Sequence, residues 1–266
     1  MERAAAGPLR FLFLLVTLHP STVAINTTVA TVVTVAARQP APGLTGAHLS
    51  QTPAYREPAS PVTRYLLLLR KGPAWSPATS PGTAQLQRAH LLHLSMLAAD
   101  KHLLISGAIG GDDDLRGVAI LDAPTIEEAR AIEADDPAVK AGRLSAEILP
   151  ISVAGNWFVF AAITGEQPMR QFAVALVADP PGAGRPDNVA SAPPHLEALW
   201  RDRGTGALVL AGSIGGGGPL RGLRVYVGDD LAAATAMAKR EAEIQPALSV
   251  DVHAWSAADG ILSIVK

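Results

Sequence analysis

The chain has 266 residues, enough for one large domain or two small ones, each with a useful core. Lys+Arg 22 against Asp+Glu 24 leaves a net charge of −2, and aromatic residues make up only 5%. This gives neither the basic footprint nor the base-stacking surface that a nucleic-acid partner requires. The absence of cysteine excludes disulfides, thiolate nucleophiles, thiolate metal sites and a lipoprotein anchor, and leaves the compartment open.

In chain order, residues 1–24 read as a secretory signal peptide. Arg3 and Arg10 flank a polar start, Phe11–Leu18 is a short apolar core, and Thr22-Val23-Ala24 ends in a small residue suited to cleavage. The apolar run is too short to span a bilayer, so no integral membrane segment is expected in the mature chain. A periplasmic or secreted protein is the expectation; a mis-assigned start ahead of a cytoplasmic protein is the alternative. Asn26-Thr27-Thr28 is a glycosylation sequon, with meaning only in a eukaryotic secretory source. Residues 25–63 read as a Pro-rich linker, carrying Pro40, Pro42, Pro53, Pro58 and Pro61, although the β-branched run at 25–37 could form a strand.

A first unit is expected over 64–155. Tyr65–Arg70 reads as a buried strand, and Lys71–Gly82 as a Pro/Gly loop. Thr83 to Ala99 reads as a helix, with Leu86, Leu94, Leu97, His90 and His93 on one stripe. Leu103–Ile109 and Leu115–Leu121 form a hairpin across Gly110–Asp114. Thr125–Ala134 is a second helix, capped by Thr125 with Glu127 and Glu128 in its first turn. Asp136-Pro137 opens a short turn that Gly142 can end, and Leu144–Val153 is the last strand. The order is βαββαβ, the ferredoxin-like pattern.

The window from His90 to Gly117 recurs, ungapped, from His195 to Gly222. Eleven of its 28 positions are identical, among them His90/His195, Gly107/Gly212 and Arg116/Arg221. A second unit is therefore expected over 169–266. Its strands are Gln171–Val177, Leu208–Ile214, Leu223–Val227 and Leu248–Trp255, and its helices His195–Arg203 and Asp229–Glu243. Gly155 and Gly260 each precede an apolar run that could add an edge strand. A sheet covered by helices on one face leaves its other face wet, so two such units should bury each other. The fold class expected is α+β, two ferredoxin-like βαββαβ units packed as an internal pseudo-dimeric α+β barrel.

The first strand, Ala89-His90-Leu91 with Leu94, Leu103–Gly107, and Asp136-Pro137 with Ala141-Gly142 together resemble the YciI-like (YCII-related) family of the dimeric α+β barrel superfamily. The likeness runs over Tyr65–Val153 and, more weakly, Gln171–Trp255. It implies a catalytic dyad of His90 and Asp136 in a small pocket. In the second unit His195 is kept, but Glu241-Ala242 replaces Asp136-Pro137, which points to one active and one degenerate half. The chemistry of the superfamily is too varied for the resemblance to name a substrate.

Each candidate also has a plain structural reading. His90 on an apolar stripe could be a core histidine bonded to backbone; held by a carboxylate through one nitrogen, it could exchange a proton through the other. Asp136 before proline is equally a helix cap. His93 and His102 have no metal-ligand partner at a convincing spacing, so no metal site is expected. The acidic Gly110–Asp114 stretch reads as a tight turn, because the recurrence puts Gly217-Gly218-Pro219 there. Gly215–Gly218 has no Lys-Ser/Thr behind it to make a phosphate loop. Arg116 and Arg221 could clamp an anionic substrate, though pairing with a helix carboxylate is favoured. No Gly-x-Ser-x-Gly elbow is present. The expectation is a cofactor-independent lyase, isomerase or hydrolase-like enzyme acting on a small organic molecule. A non-catalytic binding or structural protein is the alternative. No cofactor is expected, and a homo-oligomer is left open.

Overall fold

In a computed structural model the described residues are 61–154, 168–180, 207–228, 230–244 and 248–258. Eight strands close into one antiparallel barrel. They are β1 (Pro61–Lys71), β2 (Leu103–Ile109), β3 (Leu115–Leu121), β4 (Leu144–Ala154), β5 (Met169–Ala178), β6 (Leu208–Ile214), β7 (Leu220–Val227) and β8 (Ser249–Ala258). Around the barrel they run β1-β3-β2-β8-β5-β7-β6-β4. The helices are α1 (Pro81–Ala99), α2 (Ile126–Ala134), α3 (Pro137–Lys140) and α4 (Leu231–Ile244).

Period-two burial explains the layers. On β1, Leu66 and Leu68 belong to the core cluster shared with β5–β8, while Tyr65, Leu67 and Leu69 pack with Leu97, Ala129, Ala138 and Ile148 beneath α1–α3. Strand β1 is thus covered on both faces, and its run of leucines is continuous rather than alternating. Phe172 and Trp255 stack obliquely in the shared core, ring centroids 5.7 Å apart.

Two seams close the barrel. Strand β2 meets β8 through Gly107↔Ala257, Ala108↔Ser256 and Ile109↔Trp255; β4 meets β6 through Ile151↔Ile214, Ser152↔Ser213 and Val153↔Gly212. The recurring glycine sits at both. A Cβ on Gly107 would overlap the Trp255 indole, and one on Gly212 would lie 2.5 Å from Ile151 Cδ1. The two hairpins share their register and their bulge: Ile105↔Ile120 follows a shift after Leu103, and Leu210↔Val225 a shift after Leu208. Elsewhere the 105-residue offset slips. The bulge at Leu69/Arg70 in β1 recurs at Val177/Ala178 in β5, 108 residues on.

Several element bounds differ from the sequence expectation. Strand β1 starts at Pro61 rather than Tyr65, because β1 lies opposite β4 along its whole length and proline is tolerated at a strand's first residue. Helix α1 starts at Pro81 rather than Thr83. Ser80 and Thr83 form a reciprocal capping box, and Pro81 presets the first helical φ, so a dipeptide read as loop is the helix entry. The expected helix at His195–Arg203 and the runs after Gly155 and Gly260 lie outside the described residues. No helix among the described residues is long and apolar enough to cross a membrane.

Candidate functional site

Helix α1 lies across α3, which follows α2 after a break of two residues. On the inner side of α1, His90 and Leu97 are buried and His93 is half-buried, while Leu91, Leu92 and Met96 face outward. Helix α2 buries Ala129 and Glu133, four residues apart and so on one face. Its C-cap is Asp135, and the next residue, Asp136, caps α3.

The structure brings His90 and Asp136 together. Nδ1 of His90 is 2.5 Å from Oδ2 of Asp136, and Oδ1 of Asp136 accepts the Ala138 amide at 2.7 Å. The cap and the dyad contact coexist because each uses a different oxygen. An ionised carboxylate only accepts, so Nδ1 is the donor and, in the neutral ring, Nε2 carries the free lone pair. Nε2 makes no hydrogen bond among the described residues. Burial works to raise the Asp136 carboxyl, but the hydrogen bond and charge of His90, the Ala138 amide and His93 together hold it below the usual carboxylate range.

One participant escaped the sequence reading. Glu133 is 1% exposed, and neither of its carboxylate oxygens has a hydrogen-bond partner among the described residues; nor does the buried Nε2 of His93. Burial, and then the charge of Asp136, push the Glu133 carboxyl up to about 8. One ligand atom each from His93, Glu133 and Asp136 lie within 4.8 Å of one another. The signal available beforehand was spacing alone: Glu133 precedes Asp136 by three residues, one helical turn.

The other candidates stand elsewhere. Among the described residues Arg116 does not pair with a helix carboxylate. Its Nη1 donates to the Gly111 carbonyl at 2.7 Å and its guanidinium lies over the Trp75 ring, 5.1 Å from the centroid, because the hairpin and the loop after β1 offer nearer partners. Arg221 forms a two-pronged ion pair with Asp179, directly after β5 and not on a helix; its Nε donates to Oδ1 at 2.6 Å. His102 Nδ1 lies 3.3 Å from the Asp122 carbonyl. The Gly110–Asp114 turn has Gly111 at φ +81° and binds its own surroundings, Lys71 Nζ donating to the Asp112 carbonyl and Arg70 to Asp114. His195 lies outside the described residues. Glu241 falls in α4, its side chain outside what is described.

Two clefts are described, and neither is lined by His90 or Asp136. One of about 490 Å³ lies beside Arg64, His102 and Asp122. One of about 360 Å³ lies at a barrel end, where buried His253 sits 3.2 Å from Asp113 and 2.9 Å from Asp251. His253 was also missed; Asp251 and His253 share one face of β8 by the strand's period of two.

The span that carries β1–β4 and α1–α3 is also the span that a known family matches. Residues 63–152 match the YCII-related domain. The resemblance read from the Ala89-His90-Leu91 helix and Asp136-Pro137 is borne out, and His90, His93, Glu133 and Asp136 all lie inside this YCII-related domain. Among solved structures the chain is similar to a candidate chlorite dismutase, at 10% identity over 77% of this chain and 97% of that one, with a TM-score of 0.48. It is similar to a haem-binding protein from Thermus thermophilus, at 10% identity over 76% and 95%, with a TM-score of 0.45. It is also similar to the 5-chloro-2-hydroxyhydroquinone dehydrochlorinase TftG from Burkholderia phenoliruptrix AC1100, at 24% identity over 32% and 89%, with a TM-score of 0.25. The search of curated proteins found no match.

Proposed function

We propose that this protein is an enzyme acting on a small organic molecule, with His90 as general base or acid and Asp136 as the residue that orients it. The observation carrying this reading is the 2.5 Å contact between His90 Nδ1 and Asp136 Oδ2. A carboxylate on Nδ1 fixes the tautomer, aims the ring and stabilises the imidazolium formed when Nε2 takes a proton. No organic cofactor is needed for a proton transfer of this kind. The reading includes the architecture: two ferredoxin-like units forming an internal pseudo-dimer, the second degenerate at the Asp136 position. Support for that part is the strand order, in which β4-β1-β3-β2 and β8-β5-β7-β6 are the same arrangement. Export through residues 1–24 remains part of the proposal, with a cytoplasmic protein as its alternative.

The test is a screen of small organic molecules by thermal shift, followed by turnover assays on the hits. Wild type should convert at least one hit, and His90→Gln should bind it with turnover reduced about 10²–10⁴-fold. Undiminished turnover by His90→Gln would sink the dyad.

A second reading is favoured by one observation, the burial of both partners, His90 at 7% and Asp136 at 0% exposure. In it, the contact is a structural tie between α1 and α3, and the protein binds or scaffolds without turnover. His90→Leu would then lose stability, because it strands the buried Asp136 carboxylate, yet keep its ligands.

A further inference from the structure

Beside the His90–Asp136 contact lies a set of groups that the proton-transfer reading leaves without a task. Glu133 is 1% exposed and Asp136 0% exposed; His93 on α1 has a buried Nε2, and one of its ring nitrogens lies within 4.8 Å of an oxygen of each carboxylate. Buried polar atoms in folded proteins nearly always have a partner, since an unmade hydrogen bond costs the desolvation of the group. Here three such atoms, both oxygens of Glu133 and Nε2 of His93, lack one among the described residues, and all three belong to one cluster. Protonating Glu133 would remove its charge but would add an unpaired donor to an unpaired acceptor. Something that accepts lone pairs from all sides would satisfy the group as a whole.

We infer that His93, Glu133 and Asp136 form a binding site for a single divalent transition-metal cation of the zinc or manganese class. The donor set is one imidazole nitrogen and two carboxylates, the mixture such borderline cations take. Two ionised carboxylates and a neutral ring carry a charge of −2, which a divalent ion cancels. Ligand bonds of about 2.0–2.2 Å require donor atoms no more than roughly 4.4 Å apart. The three atoms lie within 4.8 Å, so a small side-chain adjustment closes the set.

The fold explains why spacing in the sequence hid this. His93 has no second ligand on its own helix, and both partners come from the α2–α3 corner, Glu133 from the last turn of α2 and Asp136 from the cap of α3, each with an oxygen within 4.8 Å of a His93 ring nitrogen. Asp136 keeps its other tasks. Its contact with His90 becomes an outer-shell hydrogen bond of the kind that steadies a ligating carboxylate. Three protein ligands leave a coordination position open to water or to a small oxygen-bearing molecule. The inference does not depend on His90 acting on a substrate.

The experiment uses the full chain, stripped with a chelator and titrated with Co²⁺ under visible absorption, then with Zn²⁺ in competition. One equivalent should bind. Affinity should fall at least 100-fold in both Glu133→Gln and His93→Gln, and should be unchanged in Asp112→Asn/Asp113→Asn, which removes acidic groups of the exposed turn. His90→Gln should retain the ion with at most about a tenfold loss, as for an outer-shell partner. Glu133→Gln replaces a buried carboxyl by its amide isostere, and His93 is only half-buried, so at least one site variant will report on a folded chain. Wild type that binds no more tightly than the site variants would overturn the inference, as would binding lost with the turn residues instead. Metal binding that survives in His90→Gln while turnover does not would separate this site from the dyad, and failure of either leaves the other standing.

Discussion

Asp136 holds His90 through Oδ2, at 2.5 Å, from a position where no part of its own side chain reaches solvent. Removing either partner strands the other in a buried place. His90→Ala should cost about 3–5 kcal/mol of unfolding free energy, the penalty for an uncompensated buried charge. Asp136→Ala should cost a comparable amount, because it also gives up the cap on the Ala138 amide, itself worth about 1 kcal/mol. The double variant should lose clearly less than the sum, as expected for residues in contact. Denaturant unfolding of the four proteins measures this, and additivity within about 0.5 kcal/mol would show that the two residues are not energetically coupled.

Helix α1 carries both histidines, and its entry is held by the reciprocal bonds of Ser80 and Thr83. Ser80→Ala removes the acceptor of the Thr83 amide and should destabilise the protein by about 1 kcal/mol, while the Thr83 hydroxyl keeps its bonds to the Ser80 amide and carbonyl. A melting temperature unchanged from wild type would mean that the helix start contributes nothing to the fold.

How much of this was legible beforehand depended on whether the contacts were local. The β2–β3 hairpin was readable because the chain states it twice with no gap, and β6–β7 repeats its register and bulge. The offset fails at β1 and β5, where the shared bulge lies 108 residues apart, since insertions accumulate in the intervening loops. His90 and Asp136 emerged through a resemblance, and no spacing rule would have joined residues 46 apart. Glu133 drew no reading of its own on a helix where only Glu127 and Glu128 were singled out, and its burial follows only from α1 lying across the α2–α3 corner. The partner of Arg116 was mistaken for the same reason: Trp75 reaches it from a loop that pattern reading leaves featureless.

Glu133 predicts a pH dependence with a definite sign. Its carboxyl is raised from 4.5 to about 8 in the folded protein, so between those values the native state keeps a proton that the unfolded state has released. Stability therefore falls as pH rises through this window and levels off above about 8. The full effect is on the order of 5 kcal/mol, at about 1.36 kcal/mol per pKa unit. Asp136 acts oppositely at the acid end: its carboxyl is lowered, so its contribution is present above the unfolded value and lost as pH falls through the folded one. Subtracting wild type from Glu133→Gln, both freed of metal by chelator, isolates the first effect. The stability advantage of the variant should be near zero at the acid end of the window and should grow toward pH 8. Parallel pH–stability curves would show that Glu133 is not buried as an acid.

The recurring glycines make the last prediction, at the seams where the barrel closes. Gly107 and Gly212 occupy equivalent places in their hairpins, and each lies where a neighbouring strand leaves no room for a Cβ: Trp255 and the Ser256 carbonyl against the first, Ile151 and Val153 against the second. These obstacles differ in kind. A backbone carbonyl and a core indole cannot yield without moving strand β8, whereas the Ile151 side chain can change rotamer at a cost of roughly 1 kcal/mol. Gly107→Ala should therefore destabilise by about 1–3 kcal/mol or more, as overpacking does, and Gly212→Ala by less. Gly110, in the same first hairpin, has nothing within 4 Å of a built Cβ, so Gly110→Ala should stay within about 0.5 kcal/mol of wild type. Unfolding curves of the three variants read the order directly. If Gly107→Ala behaved like Gly110→Ala, strand β8 could not lie against β2 at this register, and the closure of the barrel at that seam would have to be redrawn.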